Sequence, residues 1–462
     1  MTRRTASHGM RIYLLIWFSQ FVSSIGTSLG SFALGVWAFR QNGSATEYAM
    51  IAFTATCTAI LVSPLAGVLA DRWDRKRLIL FGDSGAAVMT CLMAVALYTG
   101  HLRLWHVYII VFFMVGFSAL QGPAFVATVS QLVPRRQLTR MSGLAQAGSI
   151  AVNLTGPPLS GALIPILGYH GVIAIDLTTF FFAFLVLLFI RLPRPAATTA
   201  ASQERRSIMA DFKFGWDYLR QRPGLLSLLW LFMATTFAFS IVSVLLTPLI
   251  LSFGSPTNLG FVNGFLVAGS LLGSLLLGVW GGPQNRVNGV LLFLLLQAPL
   301  LLLGAVRPNV MLIAVACFIF AGLSPLIGGL SQAIWQSKVA HDIQGRVFAI
   351  RGLIGSSTAP LAFLLAGPLA DRIFEPSMAP GGALAGIVGP LIGIGKGRGV
   401  GLLFITLGLV LILVVVLSSL NPRLRNVESE VPDAISDSED DADKAPTRSF
   451  FTAIKNTFTR RA

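Results

Sequence analysis

Two acidic side chains, Asp83 and Asp176, fall inside long apolar stretches of this 462-residue chain. A carboxylate in such a place either takes up and releases protons or serves as a structural or gating acceptor between helices. A charge at the centre of a bilayer costs about 2.5–3.5 kcal/mol on insertion scales, so neither position is casual. Both acids lie within about two helical turns of the ends of their stretches, and the residues alone leave both roles open.

Uncharged polar side chains form a second pattern. Gln20, Ser24, Thr27 and Ser31 recur at offsets that share one helical face, and Thr236, Ser240, Ser243 and Thr247 repeat those offsets further along the chain. Gln146, Ser149, Asn153 and Ser160 line one face of another stretch, while Gln121 and Asn263 stand in two more. These residues either hydrogen-bond helix to helix or line a binding cavity. With many Phe and Trp residues nearby and no Lys or Arg in mid-stretch, such a cavity suits a bulky amphipathic molecule better than a sugar or a small anion.

Enzymatic chemistry has no footing. His8, His101, His106, His170 and His341 lie near loops without metal-ligand spacing, and no Gly-x-Ser-x-Gly or P-loop pattern occurs. No cofactor and no metal are expected. Cys57, Cys91 and Cys317 sit inside apolar stretches with no pairing pattern and read as packing residues. With nothing to hydrolyse ATP, work must come from a gradient; one charge crossing 100 mV releases about 2.3 kcal/mol.

The elements that must position these residues are membrane helices. Charged residues make up only 11% of the chain against 54% hydrophobic, where a soluble protein carries about 25% charged. Mean hydropathy is +0.75. Twelve apolar runs are long enough to cross a bilayer: 12–39, 48–70, 78–99, 104–129, 141–167, 172–192, 225–251, 259–280, 287–306, 310–330, 347–370 and 400–420.

Basic residues test that count. Alternate turns, with the termini and the central linker, collect Arg3, Arg4 and Arg11, then Arg72, Arg75, Lys76 and Arg77, then Arg135, Arg136 and Arg140. The same side holds Arg286, Lys338, Arg346 and Arg351, while the opposite side keeps only Arg40, Arg103, Arg307, Arg372, Lys396 and Arg398. Such asymmetry places both termini in the cytoplasm. The net charge of +15 is therefore a topology signal, spread over short turns rather than gathered into a nucleic-acid-binding patch. The basic N-terminus precedes a run too long for a cleaved secretion signal, so it reads as an uncleaved first helix.

The expected organisation is a six-helix unit over 1–192, a cytoplasmic linker over 193–223, a second six-helix unit over 224–420 and a cytoplasmic tail over 421–462. In the linker, Ile208, Phe212, Gly215, Trp216 and Leu219 recur at helical spacing among basic residues, which predicts an amphipathic helix on the cytoplasmic membrane face. Residues 428–443 are acidic and poor in aromatics, which predicts disorder, and Phe450, Phe451, Ile454 and Phe458 share the face of a short terminal helix. The Gly/Pro-rich segment 376–399 reads as either a flexible outer loop or a re-entrant piece. The matching spacings in the first and seventh runs point to duplication, as do the matching turns 133–140 and 339–346.

One turn is specific. Gly67-Val-Leu-Ala-Asp71-Arg72-Trp-Asp74-Arg75-Lys76-Arg77 resembles the signature loop between helices 2 and 3 of the major facilitator superfamily. The resemblance implies two pseudo-symmetric six-helix bundles around a central cavity, an all-α membrane fold working by alternating access. It makes Gly67, Asp71, Arg72, Arg75 and Lys76 a cytoplasmic gating motif. The corresponding turn, Gly281-Gly282-Pro283-Gln284-Asn285-Arg286, keeps a base and lacks the acid. Thr155-Gly156-Pro157-Pro158-Leu159-Ser160-Gly161 resembles the helix-five motif of exporters, with Gly156, Pro157 and Gly161 shaping the helix; ordinary helix packing is the other reading. At the matching place, Ala366-Gly367-Pro368-Leu369-Ala370-Asp371-Arg372 keeps Gly-Pro and puts a charge pair where the second Gly would be.

Trp17-Phe-Ser-Gln-Phe-Val-Ser-Ser-Ile-Gly26, Ser63-Pro-Leu-Ala-Gly67, Ile334-Trp-Gln-Ser-Lys-Val339, Gln344-Gly-Arg-Val-Phe-Ala-Ile-Arg351 and Asn421-Pro-Arg-Leu-Arg-Asn-Val-Glu428 resemble the transmembrane secretion effector branch. That branch holds the enterobactin exporter and macrolide efflux proteins, and the resemblance runs from about Met10 to Pro432. It implies proton-driven export across a bacterial inner membrane of a siderophore, macrolide or peptide natural product, since members of this kind often accompany peptide assembly lines. Asp83 is followed by Ser-Gly-Ala where relatives often carry an Arg, so an Asp–Arg pair is in question there. The expected partners are the small-molecule substrate, protons and lipid, without nucleic acid; the chain is expected to act as a monomer, although the sequence leaves its oligomeric state open. Two alternatives stay open: an uptake or lipid transporter of the same fold, and a membrane sensor or scaffold without transport.

Overall fold

A computed structural model describes residues 3–133, 137–190 and 208–430. Long helices dominate: α1 (Arg3–Asn42), α2 (Ala45–Arg72), α3 (Arg75–Tyr98), α4 (Leu104–Leu132), α5 (Leu138–Phe189), α6 (Ile208–Arg220), α7 (Pro223–Phe253), α8 (Pro256–Trp280), α9 (Arg286–Val306), α10 (Val310–Lys338) and α11 (His341–Pro368). Two single turns follow, α12 (Glu375–Met378) and α13 (Gly389–Ile392), and then the long α14 (Arg398–Ser419). An apolar run in lipid has to satisfy its backbone internally, which is why these runs wind as helices. Side chains close several exposed ends: Ser44, Asp74, Ser255 and Asn285 each accept a hydrogen bond from the backbone N–H three residues on.

Eleven helices among the described residues are long and apolar enough to cross a membrane. The sequence pattern has twelve runs because α5 contains two of them. Its 52 residues would extend about 78 Å as one straight helix, far beyond a bilayer's hydrocarbon core. Gly168 breaks it: φ of 68° and ψ of 178° leave the helical region, a conformation open to glycine at little cost. The limbs 138–167 and 169–189 are each of crossing length. Large apolar side chains left exposed, such as Val279 at 91% and Phe189 at 80%, fit an exterior that meets lipid rather than water.

Buried apolar clusters divide along the chain. Three contain only residues up to Ile190, and three contain only residues from Tyr218 to Val427. One cluster joins these two halves, packing Leu29, Val36, Ala45 and Ile164 against Leu249, Val262, Ala366 and Phe404.

The linker helix α6 packs on protein. Leu219 is fully buried, a Cβ on Gly215 would clash with Ile350 of α11, and the Tyr218 hydroxyl donates to Lys338 O at 3.3 Å. In its described part, the apolar face therefore packs on the C-terminal half through Gly215 and Leu219. Segment 376–399 is folded: Met378, Ile392 and Leu402 form a small core, and Arg398 donates to Ile392 O at 3.1 Å. The expected acidic and amphipathic parts of the tail beyond Glu430 lie outside the described residues. Just before them, Glu428 accepts from Arg286 N at 3.2 Å, adding an acid to the start of α9.

Candidate functional site

Among the described residues, the close contacts between the two halves gather at one end. There, small residues let α5 and α8 touch: a Cβ on Gly161 would sit 2.5 Å from Pro256 O, and one on Gly260 would sit 2.7 Å from Pro157 O. The Thr257 hydroxyl donates to Gly161 O at 2.9 Å across the same crossing. The Tyr48 hydroxyl donates to Thr247 Oγ1 at 3.1 Å, tying α2 to α7. Gly156 performs the same service against α1, where a Cβ would overlap Ser28. Gly156, Pro157 and Gly161 thus all belong to contacts that bring helices together at the closed end.

Towards the other end, which carries the Arg72–Arg75 turn and α6, the described residues of the halves part. Gln146, Ser149 and Asn153 on α5 are exposed, and a Cβ on Gly143, Gly352 or Gly355 would meet nothing within 4 Å. Among the described residues, the halves therefore enclose a cleft that is closed at one face and leaves these α5 and α11 positions open towards the basic face.

A cavity of about 280 Å³ opens between α1, α4 and α5, walled by Trp17, Gln20, Phe21, Ser24, Ser149 and Asn153 among others. Trp17 and Phe21 stack with ring centroids 5.4 Å apart, giving a flat aromatic wall. Ser24, Ser149 and Asn153 donate to carbonyls of their own helices at 2.7, 3.2 and 2.9 Å. Their oxygen lone pairs remain as what they can offer a ligand. Gln146 is exposed on the same helix but does not line this cavity.

A second cavity of about 220 Å³ lies in the C-terminal half between α7, α8, α9, α10 and α14. Aliphatic side chains dominate it, with Ser243, Thr247, Asn263 and Cys317 as its polar points and Phe239 and Phe320 meeting edge to face at 4.8 Å. Of the predicted residues here, Asn263 lines the cavity while Thr236 and Ser240 do not. The later members of that stripe, Ser243 and Thr247, take their place.

The two membrane acids are buried, Asp83 to 6% exposure and Asp176 to 5%, and both are tied to α1. Asp83 accepts from Gln20 Nε2 at 3.2 Å and from Gln121 Nε2 at 2.9 Å. Asp176 accepts from Thr27 Oγ1 at 3.3 Å. Gln20 and Thr27 are seven residues apart, two turns along one face of the same helix. Among the described residues neither carboxylate is hydrogen-bonded to Lys or Arg. Gln121 therefore serves Asp83 rather than lining the cavity.

The turn from Gly67 to Lys76 is described in part. α2 ends at Arg72 and α3 starts at Arg75 behind the Asp74 cap, but the side chains of Gly67, Asp71, Arg72 and Arg75 lie outside the described residues. Lys76 donates to Leu188 O at 3.1 Å and to Ile190 O, where a cation meets the orphan carbonyls at the end of α5.

Two charged residues have roles that the sequence pattern did not assign. Arg351 falls ten residues, about 15 Å, inside α11, donating to Gln332 Oε1 at 2.9 Å and stacking over the Trp335 ring at 5.0 Å. Its signal was its place four residues into the apolar run 347–370, with Gln332 just past the end of the run 310–330. Asp371 bridges the two halves at the closed end through Ser44, Ala45 and Thr46. Its signal was the repetition of Gly-x-Leu-Ala-Asp-Arg at positions 67 and 367.

The profile of the Major Facilitator Superfamily matches residues 16–363. Macrolide efflux protein A of Streptococcus pyogenes is 26% identical over 365 residues, covering 78% of this chain and 90% of that protein. The multidrug efflux pump Tap of Mycolicibacterium fortuitum is 24% identical over 365 residues, covering 78% and 89%. Among solved structures, a bacterial homolog of the human lysosomal transporter Spinster, inward-facing and unoccupied, superposes with a TM-score of 0.66 at 13% identity, covering 91% of this chain and 98% of that one.

Proposed function

This chain belongs to the Major Facilitator Superfamily and is a multi-pass membrane transporter of that superfamily, and from that premise we propose that it exports a bulky amphipathic small molecule in exchange for protons. The observation that carries the reading is the double engagement of Gln20, which lines the N-terminal cavity and also donates to the buried carboxylate of Asp83.

A charged carboxylate accepts from the Gln20 amide. Once protonated it keeps an acceptor oxygen and gains an O–H donor, so one of its two amide partners, Gln20 or Gln121, has to turn its oxygen towards it, and we assign that turn to Gln20, the one that lines the cavity. Substrate hydrogen-bonded to Gln20 and a proton on Asp83 thus compete for one side chain. Competition of this kind is what antiport requires: each ligand binds best when the other has left. Asp176 is tied to the same helix through Thr27, so both acids report to α1.

The positive-inside rule makes the basic, open face cytoplasmic, with both termini on that side of a bacterial inner membrane. The open cleft then faces the compartment from which an exporter loads. An aromatic wall, hydroxyls and amides suit a macrolide-like, siderophore-like or peptidic molecule, and efflux of macrolides is what the name of the Streptococcus pyogenes relative states. Outside protons reach the acids once the cleft has opened outward, displace substrate and reset the carrier. The gating turn at Gly67, Asp71, Arg72, Arg75 and Lys76 would close the cytoplasmic face in that state.

Proton release from acidified inside-out vesicles tests the proposal, with macrolides, siderophores and lipophilic cations as trial substrates. Saturable release that disappears in Asp83→Asn is the expected result. Transport that runs without proton movement would overturn the coupling, and substrate flux inward to the cell would overturn export.

A further inference from the structure

We propose that Asp371 is the latch that holds the outer face of the carrier shut, and that each transport cycle must break and remake this contact; the proposal rests on the alternating-access reading above. Asp371 sits past the end of α11 in the C-terminal half, and its carboxylate occupies the first turn of α2 in the N-terminal half. Ser44 Oγ donates to Oδ2 at 2.8 Å, Ala45 N to Oδ1 at 3.1 Å and Thr46 N to Oδ2 at 2.8 Å. Ser44 already caps α2 by accepting from Glu47 N at 3.2 Å. The start of α2 is therefore completed partly by its own cap and partly by an acid from the other half.

A helix N-terminus presents unsatisfied N–H groups and partial positive charge, so a carboxylate there gains both hydrogen bonds and charge–dipole attraction. The contact exists only while the outer ends of α2 and α11 are together. In an outward-open state both partners would be hydrated, so the interaction is a difference between the two states, the only kind of interaction that shifts their ratio.

Local geometry aims the residue. Helix α11 ends at Pro368 and its continuation, Leu369–Phe374, winds as a π-helix. Gly367 lies against the α2 backbone, where a Cβ would overlap Thr46 Cα. Glycine brings the two helices into contact, and one turn later Asp371 reaches the cap. The hexapeptide Gly367-Pro-Leu-Ala-Asp371-Arg372 repeats Gly67-Val-Leu-Ala-Asp71-Arg72 with a single difference, and the two copies end α11 and α2 at opposite faces.

A neighbouring acid supplies the control. Glu375 also caps a helix, accepting from Gly397 N at 3.3 Å and Val400 N at 3.2 Å at the start of α14. That contact stays within the C-terminal half, so it does not itself break when the outer ends of α2 and α11 separate. Substituting Glu375 should affect folding without changing the balance of states.

The test is a pulsed dipolar distance between spin labels at His101→Cys and Arg307→Cys, exposed positions in outer turns of opposite halves, with Cys57, Cys91 and Cys317 replaced by serine. Without substrate, the parent should show one dominant short distance. Asp371→Ala should raise the long-distance fraction, with the ratio moving roughly tenfold, as loss of a charged cap does. Glu375→Gln should leave the distribution unchanged. Where Asp371→Ala does not fold, Asp371→Asn carries the test, since it keeps an acceptor and loses the charge. An unchanged distribution in a monodisperse Asp371 variant would overturn the latch, as would an equal shift from Glu375→Gln. These distances are read without transport, so a carrier that moves no protons would count against the export reading alone.

Discussion

Gln20 is hydrogen-bonded to Asp83 at 3.2 Å and lines the cleft with the same side chain, so a cavity-facing amide and a membrane-buried carboxylate form one unit. Their coupling should be visible from either side. In Asp83→Asn the neutral side chain cannot exchange a proton, so substrate should still bind while substrate-triggered proton release falls to background. Gln20→Leu removes one donor from a buried carboxylate, a loss of about 1–3 kcal/mol, and should cut release about tenfold or more. Binding measured by calorimetry beside proton release in vesicles checks both. Full release in Asp83→Asn would assign the acid a purely structural role.

Asp176 has one side-chain donor, Thr27, and less room. A Cβ on Gly30 would come within 2.7 Å of its Oδ2. Thr27→Val keeps the shape and removes the hydrogen bond, about 1 kcal/mol, so proton release should fall several-fold while the melting temperature moves little. Gly30→Ala should lower the melting temperature measurably, since α1 must retreat from the carboxylate. If Thr27→Val and Asp176→Asn both release protons at the parent rate, coupling belongs to Asp83 alone.

The membrane helices were legible because long apolar runs in lipid must wind as helices, and the side on which Lys and Arg collect supports the proposed orientation. What escaped the sequence concerns depth and partner. The stripe Thr236, Ser240, Ser243, Thr247 correctly marks one face of α7, yet only its last two members line the cavity, because periodicity gives a face and says nothing of level. Arg351 passes for a turn residue when run ends are uncertain by a few positions, and it lies about 15 Å inside α11. The amphipathic face of α6 looks the same whether it will meet lipid or the side chain of Ile350. The hexapeptide of Asp371 shares only Gly-Pro with the helix-five motif at the equivalent place in the other half, and its stronger match, five of six residues, is with the turn after α2, which no internal symmetry of the fold pairs with it.

The crossing of Gly161 and Gly260 should control closure of the outer face. Any larger residue forces α5 and α8 apart, and overpacking typically costs about 1–3 kcal/mol. Because the crossing is tight only in the closed arrangement, Gly260→Leu should favour opening rather than unfolding. A cysteine at Ile164, buried in the cluster that joins the halves, reports on this: it should be alkylated slowly in the parent and several-fold faster with Gly260→Leu. Equal rates in two well-folded proteins would show that the crossing is ordinary packing.

Cys317 offers a test of whether the C-terminal cavity holds substrate. Its side chain lines a space of about 220 Å³, large enough for an apolar ring or chain and too small for a whole macrolide. If the molecule spans the cleft, its polar part would lie against Gln20, Ser24 and Asn153 while an apolar end enters beside Cys317. A macrolide at saturation should then slow alkylation of Cys317 severalfold in a chain lacking Cys57 and Cys91. Ala316→Phe places a ring in the same cavity and should weaken macrolide binding about tenfold, the scale of about 1.4 kcal/mol, while a slender lipophilic cation should be affected less. Unchanged alkylation with bound macrolide, together with unchanged affinity in Ala316→Phe, would confine the substrate to the N-terminal wall.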